Sequence, residues 1–450
     1  MSQLQREKQD RLVRCASGVE FWKERLALAS QAGDLETVDT GRIPPVSKSE
    51  LAAAFPDRAI HPSSPQSDLR FAATRGTTQR MICVHDFAKR DAIRAANIVT
   101  LRASGYRLGM RMVEIPPDIC DVVCGEQGER DEGVLRHLLG ILRYNRWRDA
   151  NTYRDLRGLV ERNWVYNRKT YPPFGAGGSH PGTARLDYYI DRLQRDRPFL
   201  LKGLTTYLYQ IAQRVLERGR IDLEIPVIKP LGSGATPHMR ETLETAFGGR
   251  FWDDYGSAEL GSVAFSCGDS DGMHVLEDLF IVEVLDSQGA PTPPGEVGEV
   301  VVTDLANHAM PLIRYRVGDL GRLLEGECQC GRLSRRLRVE GRLQDALRDS
   351  QGNWVTSNEI AEHIYRLPWV DQFQLVERRE DLLEITVVIR QGLRPDEGQL
   401  SSYFRDRLGR EVRLRIRTAR SISPEPGGKF RWVKALPAKP LTTAGAVNAG

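Results

Sequence analysis

The sequence has few cysteines, no long apolar run and almost no net charge. Its 450 residues include seven cysteines, an odd and sparse number that excludes the disulfide framework of a small secreted domain. No stretch of about 18 uncharged apolar residues occurs, so no membrane-spanning helix is expected. Lys and Arg number 64 against 60 Asp and Glu, and this balance indicates neither nucleic acid nor a membrane surface as a partner. Residues 1–14 lack the apolar core of a signal peptide, and we expect a cytoplasmic globular protein.

The order of apolar segments and turn residues predicts an α/β fold. Residues 225–261 have the pattern strand, helix, strand, which is typical of a βαβ unit in a parallel sheet. Short strands between Gly and Pro turns predict an antiparallel β element over 273–324. We expect a large N-terminal domain over 1–341, a small mobile α+β C-terminal domain over 342–436 and a disordered tail at 437–450.

Two polar turns are suited to hold a nucleotide. The first, ATRGTTQR at 73–80, lies between two predicted strands and combines hydroxyl groups with backbone N–H groups that can converge on phosphate oxygens. Its candidate residues are Thr74, Gly76, Thr77 and Thr78. The second turn follows a predicted strand, at the edge where open α/β sheets bind ligands. It consists of Gly232, Ser233, Gly234 and Ala235. Taken alone, the first turn is equally well explained as a surface hairpin.

Four later segments place charged side chains beside glycine. They are DYGSAELG from Asp254, PLIRYRVGDLG from Pro311, RVEGRLQD from Arg338 and PEPGGKFRWV from Pro424. A carboxylate after a glycine turn, such as Asp319, is suited to accept ribose hydroxyl groups. A lysine on a Pro- and Gly-rich loop, such as Lys429, can neutralise charge that develops on a phosphate. Without the other segments, each would be an ordinary turn or a solvated loop.

Together these segments resemble the adenylate-forming enzymes, most closely the phenylacetate-CoA ligase family. The resemblance runs from IPPVSKSEL at 43–51 to the Lys429 loop. It implies that ATP, AMP and Mg²⁺ bind, with Glu259 on Mg²⁺ and Asp319 on the ribose. Tyr255 would face the adenine, Ser257 the α-phosphate, and Lys429, Glu259 and Ser257 would be the catalytic residues. The matching motifs also imply that Asp254, Gly256 and Arg342 bind the nucleotide.

The resemblance implies that a carboxylic acid, of the aromatic class, is adenylated by ATP and then transferred to coenzyme A. Tyr171, Phe174 and His180, from an irregular loop, are the hypothesised lining of the acid pocket. Gln344 replaces the hinge Asp of the family. The acyl group could therefore pass to an acceptor other than coenzyme A: an amine, a carrier protein, nitrite or another oxyanion. Gln79 replaces a phosphate-loop Gly, which keeps open a catalytically idle binding protein. The oligomeric state stays open, with a homodimer among the options.

Three cysteines and one histidine flank the antiparallel element. Cys267, His274, Cys328 and Cys330 offer three thiolates and one imidazole, a set that fits tetrahedral Zn²⁺. With four protein ligands and no open position, such a zinc ion would be structural. The alternative is three unpaired cysteines and a hydrogen-bonded histidine.

Overall fold

The computed structural model describes residues 3–30, 38–73, 81–116, 165–172, 182–219, 222–232, 234–268, 271–390, 392–423 and 430–436, with 156–157, 160–161 and 425. Its α-helices are α1 Gln3–Ala16, α2 Glu20–Ala29, α3 Lys48–Ala54, α4 Phe87–Ala103, α5 Thr183–Asp196, α6 Thr205–Glu217, α7 Pro237–Phe247, α8 Ser357–Tyr365 and α9 Glu397–Leu408.

In the described ranges, the strands belong to five sheets. They are β1 Arg70–Ala73, β2 Ile82–His85, β3 Met112–Ile115, β4 Arg168–Thr170, β5 Leu200–Leu204, β6 Val227–Leu231, β7 Arg250–Phe251, β8 Asp254–Ser257, β9 Gly261–Phe265, β10 Met273–Val275, β11 Phe280–Leu285, β12 Gly298–Asp304, β13 Tyr315–Leu324, β14 Arg336–Arg342, β15 Leu347–Arg348, β16 Trp354–Val355, β17 Val370–Arg379, β18 Leu382–Ile389, β19 Arg413–Ala419 and β20 Val433–Lys434.

A five-stranded parallel sheet, in the order β4-β3-β5-β6-β7, confirms the predicted α/β class. Helices α5, α6 and α7 pack on one of its faces through a continuous apolar core. Helix α7 begins where the sequence dictates: the Thr236 hydroxyl accepts a hydrogen bond from the Met239 amide, and Pro237 occupies the first turn. It ends at Gly248, which adopts a left-handed conformation with φ 64°.

A seven-stranded antiparallel sheet, in the order β11-β12-β13-β14-β10-β9-β8, forms the second layer. This antiparallel sheet begins at Asp254, earlier than the predicted start at residue 273, because residues 250–257 divide between two sheets. Strand β7 pairs in parallel with β6, whereas β8 pairs with β9 in antiparallel fashion. Helices α1 to α3 supply apolar side chains to the core of this sheet. Strands β1 and β2 form the predicted antiparallel pair on either side of residues 74–81.

The C-terminal part combines the β15–β16 hairpin with a four-stranded sheet in the order β19-β18-β17-β20. Helices α8 and α9 contribute to its core, in agreement with the predicted α+β pattern. That core also includes Tyr209 of α6 and Met239 of α7, so it continues into the N-terminal part. At this junction the Glu362 carboxylate accepts a hydrogen bond from the His238 amide at 2.9 Å. Among the described residues, no helix has the length and apolarity that a membrane crossing requires.

Candidate functional site

Tyr255, Asp319 and Arg342 meet at one place, although they come from three motifs. The Tyr255 hydroxyl donates a hydrogen bond to Asp319 Oδ2 at 2.8 Å. Arg342 Nε lies 3.1 Å from Asp319 Oδ1, because Asp319 and Arg342 are register partners on β13 and β14. Asp319 is 6% exposed, whereas the Arg342 side chain is 43% exposed. The carboxylate of Asp319 raises the pKa of Arg342, so the group stays a cation that a ligand can reach.

Glu259 lies in the turn after β8 and is held by two other side chains. Its Oε1 atom accepts a hydrogen bond from the Tyr315 hydroxyl at 3.1 Å and forms an ion pair with Lys48 Nζ at 3.3 Å. Burial alone would raise the pKa of this carboxyl, but the charge of Lys48, a backbone amide and the Ser257 hydroxyl outweigh burial and lower it. Glu259 is therefore an ionised carboxylate in a largely buried place.

Lys48 was not predicted as a site residue, although its segment was quoted for the resemblance. It is the first residue of α3, whose capping box joins Ser47 and Glu50. Val46 forms a parallel bridge with Tyr315, in which the Arg316 amide donates to the Val46 carbonyl at 2.9 Å. This bridge brings Lys48 to Glu259. The only sequence signal was a lysine directly after a helix cap.

The turn after β6 is present where it was predicted, at the carboxyl end of the strand. Gly232 has φ 88°, and a Cβ atom there would approach Leu204 Cδ2 to 2.8 Å, so the position suits glycine alone. Gly234 and Ala235 lead into the α7 cap. Gly256 fits closely as well, because a Cβ atom there would lie 2.2 Å from the Gly261 carbonyl oxygen.

Two predicted site residues point elsewhere. Asp254 pairs with Lys229 at 2.6 Å and accepts a hydrogen bond from the Ser262 hydroxyl. Because neighbouring side chains on a strand alternate, its carboxylate lies on the opposite side of β8 from Tyr255. Tyr171 does not line a pocket: it is 1% exposed, packs in the core beneath α5 and donates to Asp196 Oδ2 at 2.7 Å.

Several predicted site residues lie outside the described part of the chain. They are Thr74, Gly76, Thr77, Thr78, Phe174, His180, Ser233 and Lys429. Two residues after Lys429, Arg431 Nε donates a hydrogen bond to Asp345 Oδ1 at 2.8 Å. This contact ties the chain beyond Lys429 to the 3₁₀ turn Leu343–Asp345, which follows β14 directly.

The four metal-ligand candidates form one cluster. Their ligand atoms all lie within 4.8 Å of one another, with Cys267 Sγ 3.5 Å from Cys328 Sγ and Cys330 Sγ 3.3 Å from His274 Nε2. Ligand atoms around tetrahedral zinc are separated by about 3.3–3.8 Å, so the set fits the ion. His274 Nδ1 is 3.1 Å from the Ser334 carbonyl oxygen, to which it can donate, and this tautomer leaves Nε2 free to bind a metal.

Several known proteins are similar to this chain in sequence or in fold. Residues 347–435 match the model of the CapK C-terminal domain. The phenylacetate-coenzyme A ligase of Thermus thermophilus is 32% identical over 253 residues, which are 52% of this chain and 56% of that protein. The enzyme of the same name from Pseudomonas putida is 26% identical over 285 residues, 56% of this chain and 64% of that protein. The chain thus spans less than two thirds of the length of these relatives.

The solved structure of 2-hydroxyisobutyryl-CoA ligase, in the postadenylation state with 2-HIB-AMP, superposes with a TM-score of 0.68. The match covers 96% of this chain and 88% of that one at 20% identity, which shows a shared fold. These comparisons confirm the resemblance that the motifs predicted.

Proposed function

We propose that this chain, a relative of the phenylacetate-coenzyme A ligases with the fold of adenylate-forming ligases, activates a carboxylic acid by adenylation with ATP. The observation that carries the proposal is that Asp319 contacts both Tyr255 and Arg342. A carboxylate that also holds an arginine can accept both ribose hydroxyl groups, while the adjacent aromatic ring offers a face to the base.

Glu259 is the residue that fits Mg²⁺. Magnesium prefers oxygen ligands and is usually held by one or two carboxylates together with substrate phosphates, and Glu259 is ionised because Lys48 opposes the effect of burial. When bound, the ion would neutralise charge on the triphosphate. Lys48 and Tyr315 orient the carboxylate. The Ser257 hydroxyl is proposed to bind the α-phosphate.

In the first half-reaction, an oxygen of the substrate carboxylate attacks the α-phosphorus of ATP. An O–P bond forms, the bond to the β-phosphate oxygen breaks, and pyrophosphate leaves with that electron pair. The protein needs no covalent nucleophile, because binding and charge neutralisation are sufficient for such a transfer. Lys429 and the Thr74, Gly76, Thr77 and Thr78 turn are proposed to neutralise the phosphates.

In the second half-reaction, the coenzyme A thiolate attacks the acyl carbon of the adenylate. A C–S bond forms, the C–O bond to AMP breaks, and AMP leaves as an anion. Residues 342–436 are proposed as the domain that rearranges between the two steps, and the similarity to coenzyme A ligases supports this acceptor. The aromatic class of acid rests on the family resemblance. The proposal that Phe174 and His180 line its pocket rests on the composition of their segment and its position in the sequence.

Exchange of labelled pyrophosphate into ATP, measured across aryl, fatty and hydroxy acids, tests adenylation. Asp319→Asn should raise the KM for ATP about 10- to 100-fold, the effect of a lost hydrogen bond to a charged group. The control is Asp381→Asn, since the exposed Asp381 pairs with Arg413 on the far C-terminal sheet. No exchange with any acid, or an equal effect of both variants, would contradict the proposal.

A different acceptor is the second candidate, and the β15–β16 hairpin is the observation in its favour. By the family resemblance, this hairpin corresponds to a Gly-rich strand that faces coenzyme A. Here it is closed by polar contacts, because Asp349 Oδ1 accepts hydrogen bonds from the Gln351 and Asn353 amides at 2.9 and 2.8 Å. Arg348 lies over the Trp354 ring at 3.0 Å. AMP release that is unchanged by coenzyme A but rises with ammonium or hydroxylamine would favour this candidate.

We also infer that Cys267, His274, Cys328 and Cys330 hold a structural zinc ion. Purified protein should contain about one zinc per chain by elemental analysis, and Cys328→Ser should lose it together with several degrees of melting temperature. Cys83→Ser, which alters a buried cysteine outside the cluster, is the control. Metal-free protein that melts at the same temperature would exclude the zinc.

A further inference from the structure

A row of charged side chains crosses the middle of the parallel sheet. Glu114 of β3 is the register partner of Lys202 of β5, and Lys202 is the partner of Lys229 of β6. Register partners on neighbouring parallel strands point to the same face. The row is extended at one end by Arg168, 2.5 Å from Glu114, and at the other by Asp254, 2.6 Å from Lys229.

The charges of this row do not balance. Three cationic side chains face two carboxylates, and each carboxylate is already in a short ion pair with a cation other than Lys202. No described carboxylate lies within 4.0 Å of Lys202 Nζ. Burial lowers the pKa of Lys202, the neighbouring cation Lys229 adds to this effect, and Glu114 opposes it only in part. An anion beside Lys202 would offset both the cost of burying its ammonium group and the repulsion from Lys229.

The row lies on the side of the sheet that faces β8. Beneath it, Met112, Leu200 and Val227 of the same strand faces pack against Phe265 of the antiparallel sheet. Above it, β5 ends at Leu204 and β6 at Leu231, immediately before the Gly232 turn. Glu114 and Lys229 are buried, and Lys202 between them is only partly exposed.

We propose that Lys202 is an anion-recognition residue at the inner end of the acid site, and that the activated acid carries a second anionic group, a carboxylate in the simplest case. The inference rests on the proposed adenylation. Ligands of open α/β sheets bind at the carboxyl edge. Lys202, which has no described carboxylate within 4.0 Å, lies two residues before the carboxyl end of β5. A charge-assisted hydrogen bond in such a place is strong and selective.

Matched acids that differ only in the second charge test this proposal. The probes are 4-carboxyphenylacetate and its neutral amide 4-carbamoylphenylacetate, with adipate and its monoamide as an aliphatic pair. The wild-type protein should prefer each dianion by about 10- to 100-fold in kcat/KM for pyrophosphate exchange. Lys202→Met should abolish that preference and leave exchange with the neutral amides intact. Lys169→Met is the control, because Lys169 pairs with Asp196 on the opposite face of the sheet.

Two results would overturn the role of Lys202: a wild-type preference for the neutral amides, or a Lys202→Met protein that loses exchange activity equally with the dianion and the amide of a pair. If no acid supports exchange, the proposed adenylation is contradicted. The anion site at Lys202 is then tested separately, by calorimetric measurement of dianion binding. Wild-type protein that binds a dianion more tightly than Lys202→Met supports the anion site even then. Equal binding by the two proteins, or no binding of either dianion, overturns it.

Discussion

Replacing Lys48 by methionine is expected to destabilise the fold by about 1–3 kcal/mol at pH 7, because it leaves a buried carboxylate without its cation. Lys48 Nζ and Glu259 Oε1 are 3.3 Å apart, and the side chains are 25% and 7% exposed. Two unit charges at that separation attract by roughly 5 kcal/mol at an effective dielectric constant of 20. The exposure of Lys48 and the remaining hydrogen bond from Tyr315 reduce the net effect.

The pH dependence gives a second signature. In the wild type the pKa of Glu259 is lowered, so its contribution to stability is present above the ordinary pKa of a glutamate and is lost as the pH falls through the folded value. Loss of Lys48 removes the largest effect that lowers this pKa, so we expect the pKa to rise and the ionised carboxylate to contribute less stability at neutral pH. The stability difference between variant and wild type should therefore shrink as the pH falls from 7 towards 4.5.

Urea unfolding of Lys48→Met, Glu259→Gln and the double variant measures the coupling. The double variant should recover about 1–3 kcal/mol relative to the sum of the single changes, because the glutamine needs no cation. Arg58→Met is the control, since Arg58 and Glu20 form an exposed pair that should contribute less than about 1 kcal/mol. A Lys48→Met protein as stable as the wild type, or a purely additive cycle, would refute this reasoning.

Three further changes have defined outcomes. Burial raises the pKa of Asp253 to about 6, so its ionisation in the folded protein costs stability as the pH rises from about 4 to 6. Asp253→Asn should therefore increase the free energy of unfolding in urea by up to about 3 kcal/mol at pH 8 and leave it unchanged near pH 4. Tyr315→Phe should cost about 1–2 kcal/mol and raise the Mg²⁺ concentration needed for ATP binding by calorimetry, because Glu259 loses a donor. Arg431→Met should lower kcat more than it changes the KM for ATP, because Asp345 no longer holds the chain beyond the proposed catalytic lysine; an unchanged kcat would contradict this.

The elements with strong local signals could be predicted from the sequence. The β6-α7-β7 unit is marked by apolar runs, the Thr236-Pro237 helix start and Gly248 at its end, all of which act over a few residues. The meeting of Tyr255 with Asp319 could not be derived from spacing. Strands β8 and β13 are separated by three others in the sheet, so the contact depends on sheet order and shape. Only the family resemblance indicated it.

Two incorrect placements and one missed residue have three physical causes. Tyr171 was placed in a pocket because it precedes a Pro- and Gly-rich stretch, but its side chain shares the sheet face that packs on α5. Asp254 was grouped with Tyr255 as one nucleotide-binding edge, although adjacent residues on a strand cannot share a face. Lys48 was missed for a third reason: its position is set by the bridge between Val46 and Tyr315, far apart in sequence.

Strand β8 links the two proposed binding regions because its side chains alternate. Tyr255 faces the nucleotide residues and Asp254 faces the charged row, so a single strand contacts both. An anion at Lys202 would weaken the repulsion between Lys202 and Lys229 and thereby strengthen the pair of Lys229 with Asp254. Since Asp254 and Tyr255 are consecutive residues of β8, we expect that pair to steady the backbone from which the Tyr255 hydroxyl reaches Asp319. Binding of the acid and binding of the nucleotide should then be positively coupled, and by reciprocity each ligand should raise the affinity for the other by the same factor.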